Sequence, residues 1–142
     1  DVDCYISTLI PQDYVEDIFL RLEIYNDISN AKNDYDIDHI VSKLEDVYGP
    51  IPDYLNNLFS LTRVKIEGNR IKVDKIKINK ENTVITLNPK SLINNDKLIN
   101  YFVLKNKIKL TDQFNLKYQN ISKDNFCELC EEVISMIKNI SD

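Results

Sequence analysis

The segment DIDHIVSKLEDVYGPIP, residues 36–52, predicts one helix, the end of that helix and the start of another. The first helix runs from about Asp36 to Tyr48, and its apolar side is formed by Ile37, Ile40, Val41, Leu44 and Tyr48. It ends at Gly49-Pro50, since glycine accepts a left-handed conformation after a helix and proline cannot continue one. The link that follows is very short, so we expect the two helices to pack as an antiparallel hairpin.

The second helix of this hairpin has Pro52 in its first position, where a missing backbone N–H costs nothing. It ends near Arg70, and its apolar side consists of Leu55, Leu58, Phe59, Thr62 and Ile66. On the N-terminal side of the hairpin, residues 2–8 predict a short strand. A capping-box pattern over residues 13–16 then begins a helix on whose surface Asp17 and Arg21 can pair. The apolar side of that helix consists of Val15, Ile18, Phe19, Leu22, Tyr25 and Ile28.

After Arg70 the apolar pattern changes to the period of a strand. Residues 71–78 predict a strand with one irregularity near Asp74, and residues 83–87 predict its hairpin partner. Asn88-Pro89 opens a helix through Phe102, with Leu92, Ile93, Ile99 and Phe102 inward. Residues 108–110 and 114–118 predict two short strands, the latter with Phe114, Leu116 and Tyr118 alternating. Ser122 caps a last helix, with Asp124 in its first turn and a buried stripe of Phe126, Leu129, Cys130, Val133, Ile137 and Ile140.

This order of elements predicts an α+β fold. An N-terminal strand and a three-helix half are followed by a strand-rich half, in which two further helices pack around a small, mainly antiparallel sheet. We expect one domain over residues 1–142, with a soft internal boundary near residue 70.

The net charge of −5 disfavours binding of this domain alone to nucleic acid, because phosphates repel an acidic surface. A local basic patch stays open as an alternative. The residues that would form it, together with Tyr118, are Lys65, Arg70, Lys72, Lys75, Lys77 and Lys80. We interpret these side chains as a solvated strand face.

Catalytic machinery is not indicated. The two glycines, Gly49 and Gly68, cannot build a phosphate-binding loop, and Gly68 instead suits close helix packing. The C-x-x-C motif lies about one turn inside the helix predicted to start at Ser122, so it is interpreted as ordinary packing. A zinc tetrad of Cys4, His39, Cys127 and Cys130 is possible on paper. We expect no catalytic, cofactor or metal residue, although a small enzyme with a dispersed acid site remains an alternative.

The three cysteines are an odd number, and no secretory leader precedes them, which favours a reduced, cytoplasmic setting. No apolar stretch approaches the ~18 residues of a membrane span. The chain lacks an initiator Met and begins directly with a strand-like alternation, so we expect a piece of a longer protein.

Two stretches, residues 10–28 and 44–52, resemble the C-terminal domain of bacterial transcription-repair coupling factors (Mfd). The family pattern I-P-x-x-Y-I-x-D-x-x-x-R-L-x-x-Y-x-x-I, followed by L-x-D-R-F-G-x-x-P, is matched at its structural anchors Pro11, Tyr14, Asp17, Arg21, Leu22, Tyr25, Gly49 and Pro52. Val47 replaces the family's Arg and Tyr48 its Phe, while Lys72-Val73 stands where a Gly-Ile pair is usual.

The resemblance implies a clamp that folds back on the UvrB-like module of its parent and masks the surface that recruits UvrA. It implies that the end of the second helix, with Lys43, Asp46 and Val47, is part of that contact. ATP and Mg belong to the parent's motor domains, and RNA polymerase and DNA are contacted by other parts of the parent. The segment itself would be a non-catalytic monomer. An unrelated protein-interaction module has the same expected fold and remains an alternative.

Overall fold

The computed structural model describes residues 1–104, 106, 108–111 and 114–142, with the backbone alone for residues 102–104. Within this range the chain forms five helices and five strands. In chain order they are β1 Val2–Cys4, α1 Ile18–Ser29, α2 Asp34–Tyr48, α3 Asp53–Arg70, β2 Lys75–Ile78, β3 Asn82–Thr86, α4 Asn95–Leu104, β4 Ile108–Leu110, β5 Asn115–Gln119 and α5 Phe126–Asn139.

The strands form one mixed sheet in the order β1-β2-β3-β5-β4. β1 pairs with β2 in parallel, with Val2 opposite Ile76, and the other pairs are antiparallel. The predicted α+β fold with a mainly antiparallel sheet is therefore confirmed. The β2–β3 hairpin was also predicted from its β-branched residues.

One face of the sheet is buried against α3 and α5. Side chains at alternate strand positions, among them Ile76, Ile85 and Leu116, are fully buried there. The predicted stripe of α5 is confirmed, because all six of its residues belong to this core. α5 therefore shares one hydrophobic core with β2, β3 and β5.

A second core lies among the first three helices. Ile37 and Leu44 of α2 pack in the same cluster as Leu55 and Phe59 of α3. Arg63 of α3 lies within 3.7 Å of Asp34 and 3.2 Å of Asp38, near the start of α2. The later part of α3 thus lies beside the beginning of α2, which confirms the predicted antiparallel hairpin.

α3 belongs to both cores. Leu55 and Phe59 face the helical core, whereas Val64 faces the sheet core. Gly68 lies so close to the sheet that an added β-carbon would stand 2.8 Å from Cδ1 of Ile76. The close packing expected at Gly68 is confirmed, and the soft boundary near residue 70 falls at the end of the helix that joins the two cores.

The first predicted helix begins later than the capping-box pattern suggests. Residues 11–15 form a turn in which the Pro11 carbonyl accepts the N–H groups of Tyr14 and Val15, and α1 starts at Ile18 with Asp17 as its cap. The predicted apolar stripe is wrong over this first part of α1, because Ile18, Phe19 and Leu22 are exposed. Later residues of the stripe do turn inward, and Ile28 is buried.

Several other boundaries differ from the prediction. β1 ends at Cys4, α2 begins two residues earlier than predicted, and Pro52 is the cap of α3 rather than its first residue.

Asn88-Pro89 forms a turn, because the Asn88 side chain accepts the N–H of Lys90 and the Asn88 carbonyl accepts that of Ser91. α4 therefore begins only at Asn95, which leaves Leu92 and Ile99 exposed, and the predicted inward position of the Phe102 side chain lies outside the described residues.

Two positive φ angles shorten the predicted strands at their N-terminal ends. Lys72, at φ 58°, separates the end of α3 from β2, so residues 71–74 do not join the strand. Phe114, at φ 58°, precedes β5 and is exposed, so only Leu116 and Tyr118 of the predicted alternation are buried.

The last helix begins at Phe126, with Asn125 as its cap, not at Ser122. The Asn125 side chain accepts the N–H of Glu128 at 3.0 Å. The backbone N–H groups of Ile121 and Ser122 instead donate to the carboxylate of Glu132, which lies further along the chain within α5. This carboxylate holds the segment before α5 in a non-helical path.

Candidate interaction surface at the end of α2

The last turns of α2 expose the three residues expected to contact a partner. Lys43, Asp46 and Val47 are all exposed, Val47 by 65% of its surface. A positive φ of 90° at Gly49 ends α2 directly after them. Its ψ of −170° places it in a region that is essentially restricted to glycine, so a side chain at this position is strained.

Tyr14 ties this helix end to the turn before α1. Its hydroxyl donates to the Gly49 carbonyl at 2.8 Å and lies 3.3 Å from that of Leu44. Its ring packs against Tyr48 with 5.7 Å between ring centroids. Burial raises the pKa of Tyr14, and negative charge at Glu45 adds to this shift, so the hydroxyl remains a donor at neutral pH.

Other anchor residues fix the start of α1. The Asp17 side chain accepts the N–H of Phe19 at 2.8 Å, and the Arg21 guanidinium donates to the carbonyls of Val15 and Glu16. The expected Asp17–Arg21 ion pair is therefore replaced by two separate contacts to the backbone. The Tyr25 hydroxyl accepts the N–H of Ile10 at 2.6 Å, which attaches the preceding segment to α1.

A groove of about 440 Å³ lies between α1 and α2. Its apolar lining comprises Leu20, Ile24, Ala31, Ile40, Leu44, Val47 and Tyr48. Lys43 and Val47 face this groove, whereas Asp46 lies outside its lining. The structure thus brings two of the three predicted contact residues to one groove and places the third beside it. The sequence pattern did not reveal the groove, because Leu20 and Ile24, the apolar residues of α1 that line it, lie outside the apolar stripe predicted for this helix.

Carboxylates make the surroundings of the groove acidic. Glu23, Asp27 and Asp36 line it together with Lys43 and His39. Within the described part of the chain, Asp46 forms no ion pair. An acidic surface with an apolar floor suits a partner that presents basic and apolar side chains.

The cysteines and His39 do not assemble a metal site in the described residues, where no group of three potential ligands is placed to hold an ion. His39 is exposed and stacks against Tyr35 at 6.4 Å. Cys127 lies in the first turn of α5, not a turn inside as predicted, and its thiol contacts Asn57 at 3.5 Å. Cys130 is buried in the sheet core, and this burial raises the pKa of its thiol.

The residues of the lysine strip lie on different elements. Arg70 pairs with Glu67 at 2.6 Å at the end of α3. Lys75 and Lys77 share the open face of the sheet on β2, where Lys75 pairs with Asp3 at 3.5 Å. Tyr118, expected beside these residues, is only 3% exposed. Burial, together with a hydrogen bond to Glu132, raises its pKa, which is typical of a core tyrosine rather than a base-stacking one.

None of the described helices is long and apolar enough to cross a membrane.

Comparisons with known proteins agree with the fold. A family model described as the TRCF domain matches residues 4–98. The transcription-repair-coupling factor of Buchnera aphidicola subsp. Acyrthosiphon pisum (strain APS) is 28% identical over 141 residues, which make up 99% of this chain and 17% of that protein. The protein of the same name from Haemophilus influenzae is 27% identical over 143 residues, 99% of this chain and 12% of that protein.

Among solved structures, a crystal structure of the C-terminal domain of a transcription-repair coupling factor is similar with a TM-score of 0.78. The match covers 97% of this chain and 92% of that chain at 19% sequence identity, which shows a shared fold. The chain thus corresponds to less than a fifth of the length of both curated relatives.

Proposed function

Because this chain belongs to the TRCF domain family, we propose that it is the non-catalytic regulatory domain of a transcription-repair coupling factor. In this proposal it folds back on the UvrB-like module of its parent and masks the surface that recruits UvrA. The observation that carries the proposal is the exposed end of α2, where Lys43 and Val47 face an acidic groove with an apolar floor. The anchor residues of the sequence pattern hold this helix end against the start of α1.

Masking is an equilibrium between a closed form that hides the recruiting surface and an open form that shows it. A few kcal/mol in favour of the closed form keep the open form in the ~0.1–10% range of typical minor states. Since both partners belong to one polypeptide, the effective concentration reaches roughly millimolar and a weak contact suffices. A modest, polar surface such as the end of α2 suits this task.

In this proposal the carboxylate of Asp46 forms a charge contact with an Arg or Lys of the masked module. A carboxylate near the end of a helix is mildly unfavourable toward the helix dipole, so helix stability does not account for it. In this proposal ATP and Mg bind the motor domains of the parent, and its DNA and polymerase contacts also lie outside this segment. In this proposal the protein acts in the bacterial cytoplasm.

The experiment is a comparison of UvrA binding to the full-length parent and to the parent without residues 1–142. We expect tighter UvrA binding after truncation, because the masked surface is released. Asp46→Lys in the full-length parent should have part of that effect, since like charges would meet across the contact and cost about 1–3 kcal/mol. Glu131→Lys, an exposed acid on α5, is the matched control and should leave UvrA binding unchanged. Equal UvrA affinities for the full-length and truncated parent would refute the masking role.

A further inference from the structure

α1 exposes large apolar side chains where the sequence predicted a buried stripe. Ile18, Phe19 and Leu22 are exposed by 56%, 75% and 58% of their surfaces, respectively. Only the far part of the helix, at Ile24 and Ile28, is buried in the helical core. A helix that is apolar on nearly all sides is normally buried on all sides, so the exposed part of α1 lacks a covering surface within the described chain.

Neighbouring segments extend these side chains into one surface. Leu9, Ile18, Leu22 and Tyr54 line a common groove of about 490 Å³, and Phe19 adjoins Leu22 across one helical turn. We call these five residues the α1 patch. It is separate from the α2 end, because none of its members lines the groove that contains Lys43 and Val47. Contiguous exposed apolar surface of this kind marks interaction sites.

The size of the α1 patch indicates what covers it. Stable interfaces between separate proteins use roughly 20–30 residues on each side, whereas the patch has five. A second copy of the domain would therefore be held too weakly by this patch alone. A covering surface on the same polypeptide needs far less contact area, since tethering supplies the effective concentration. The relatives leave ample chain for this, because the matched region is 17% and 12% of their lengths.

The charges beside the patch indicate the chemistry of its partner. Glu16, Asp17 and Glu23 are exposed acids next to it, while Arg21 is engaged with backbone carbonyls. An apolar surface bordered by Arg or Lys would complement this arrangement.

We propose that the α1 patch is a second docking surface, covered in the full-length protein by an apolar, basic-rimmed surface of the same polypeptide. This inference rests on the proposed function in one respect, namely that the domain folds back on its own chain. It adds a contact whose residues are distinct from those that line the groove at the α2 end. The two contacts together would fix the orientation of the docked domain, which a single contact would leave free to rotate.

The test is hydroxyl-radical footprinting of the full-length protein and of the 142-residue domain under identical conditions. The oxidation rates of Phe19 and Leu22 should be at least threefold lower in the full-length protein. Phe114, which is exposed outside the patch, serves as the internal reference and should be oxidised at the same rate in both. Equal rates for Phe19 and Leu22 in the two proteins would overturn the proposal.

A concentration series of the isolated domain tests whether a second copy of the domain covers the patch instead. Oxidation of Phe19 in the isolated domain should not change between about 10 and 200 µM. A decrease with concentration would show that a second copy covers the patch, and this too would overturn the proposal. The double variant Phe19→Ser/Leu22→Ser in the full-length protein should raise the oxidation rate of Tyr54, whereas Leu92→Ser, at an exposed apolar site elsewhere, should not.

The two hypotheses can fail independently. If truncation strengthens UvrA binding while Phe19 is equally oxidised in both proteins, masking stands and the second docking surface is wrong. If Phe19 is protected in the full-length protein while UvrA binds equally to both forms, the docking surface stands and masking is wrong.

Discussion

At the scale of single residues, Gly49 sets the direction in which the chain leaves α2. Its φ of 90° and ψ of −170° define a conformation that side chains with a β-carbon rarely adopt. Beyond the adjacent residues of the chain, no heavy atom in the described structure lies within 4 Å of the position a β-carbon would take, so a substitution acts through the backbone rather than through a clash.

Gly49→Val should therefore destabilise the domain by about 1–3 kcal/mol. We expect a fall in the melting temperature of at least about 3 °C, measured by circular dichroism. Ser42→Val, which places the same side chain on an exposed position of α2, is the control and should have a much smaller effect. A melting curve of Gly49→Val that coincides with the wild type would contradict the assigned backbone conformation.

Glu132 is the residue whose ionisation should link stability to pH. Burial would raise the pKa of its carboxyl group, but hydrogen bonds from the Ile121 backbone, the Tyr118 hydroxyl and Ser122 hold it below the ordinary value of 4.5. A lowered pKa in the folded state means that the carboxylate contributes stability above the unfolded-state pKa and loses it as the pH falls through the folded-state value.

Glu132→Gln should lower the free energy of unfolding at pH 7, because the two backbone N–H groups lose a charged acceptor. Between about pH 5 and pH 3, the free energy of unfolding should also fall less in this variant than in the wild type, because Gln has no carboxylate to protonate. Urea unfolding at a series of pH values measures both effects. Glu131→Gln, the exposed neighbour, should keep the pH dependence of the wild type. If the stability of Glu132→Gln had the same pH dependence as the wild type, Glu132 would not be the residue that links stability to pH.

At the scale of elements, the start of α5 depends on a side chain that the sequence pattern did not single out. Ser122 and Asp124 make a plausible cap and first turn, yet the Glu132 carboxylate engages the backbone of Ile121 and Ser122. The helix can begin only after this contact, at Phe126. Such a contact joins residues ten or more apart, so local capping patterns do not reveal it.

Asn125→Ala should cost the domain about 1 kcal/mol, because the N–H of Glu128 loses its acceptor. Asp124→Ala, one residue earlier and exposed, should change the stability by no more than a few tenths of a kcal/mol. Chemical denaturation of the two variants beside the wild type tests the assigned cap. A larger loss for Asp124→Ala than for Asn125→Ala would contradict Asn125 as the cap of α5.

The helices also show which predictions a single sequence supports. Periodicity located α2, α3 and the stripe of α5, because the apolar residues of these helices meet a core of the domain itself, α3 meeting both cores. It failed for the first turns of α1, where apolar residues such as Phe19 and Leu22 remain exposed within the described chain. Periodicity identifies an apolar face but does not tell whether that face meets the domain's own core or another surface.

At the scale of the whole molecule, the order of the sheet could not be predicted. Strand patterns gave the β2–β3 hairpin, but the parallel pairing of β1 with β2 and the insertion of β5 between β3 and β4 depend on long-range packing. The residues of the candidate surface at α2 came from the resemblance. The groove beside them required the structure, since it is formed by two helices whose relative placement depends on Tyr14, Arg21 and Tyr25.

The isolated domain should be a monomer in spite of the α1 patch, for the reason of interface size given above. Size-exclusion chromatography with light scattering should give a mass near 16.6 kDa at concentrations up to about 200 µM. Phe19→Ser/Leu22→Ser should elute at the same volume. If the wild-type domain were a dimer and the double variant a monomer, the patch alone would support self-association.

The parallel pairing of β1 with β2 has a consequence for synthesis of the chain. The pairing of Val2 with Ile76 spans 74 positions, so β1 leaves the ribosome long before its partner exists. At the usual rate of about 5–20 residues per second, β1 waits roughly 4 to 15 s without a strand beside it. The three-helix cluster that lies between the two strands in the sequence can fold during this interval. The nascent chain would thus complete its helical half first and add the N-terminal strand to the sheet only when residues 75–78 emerge.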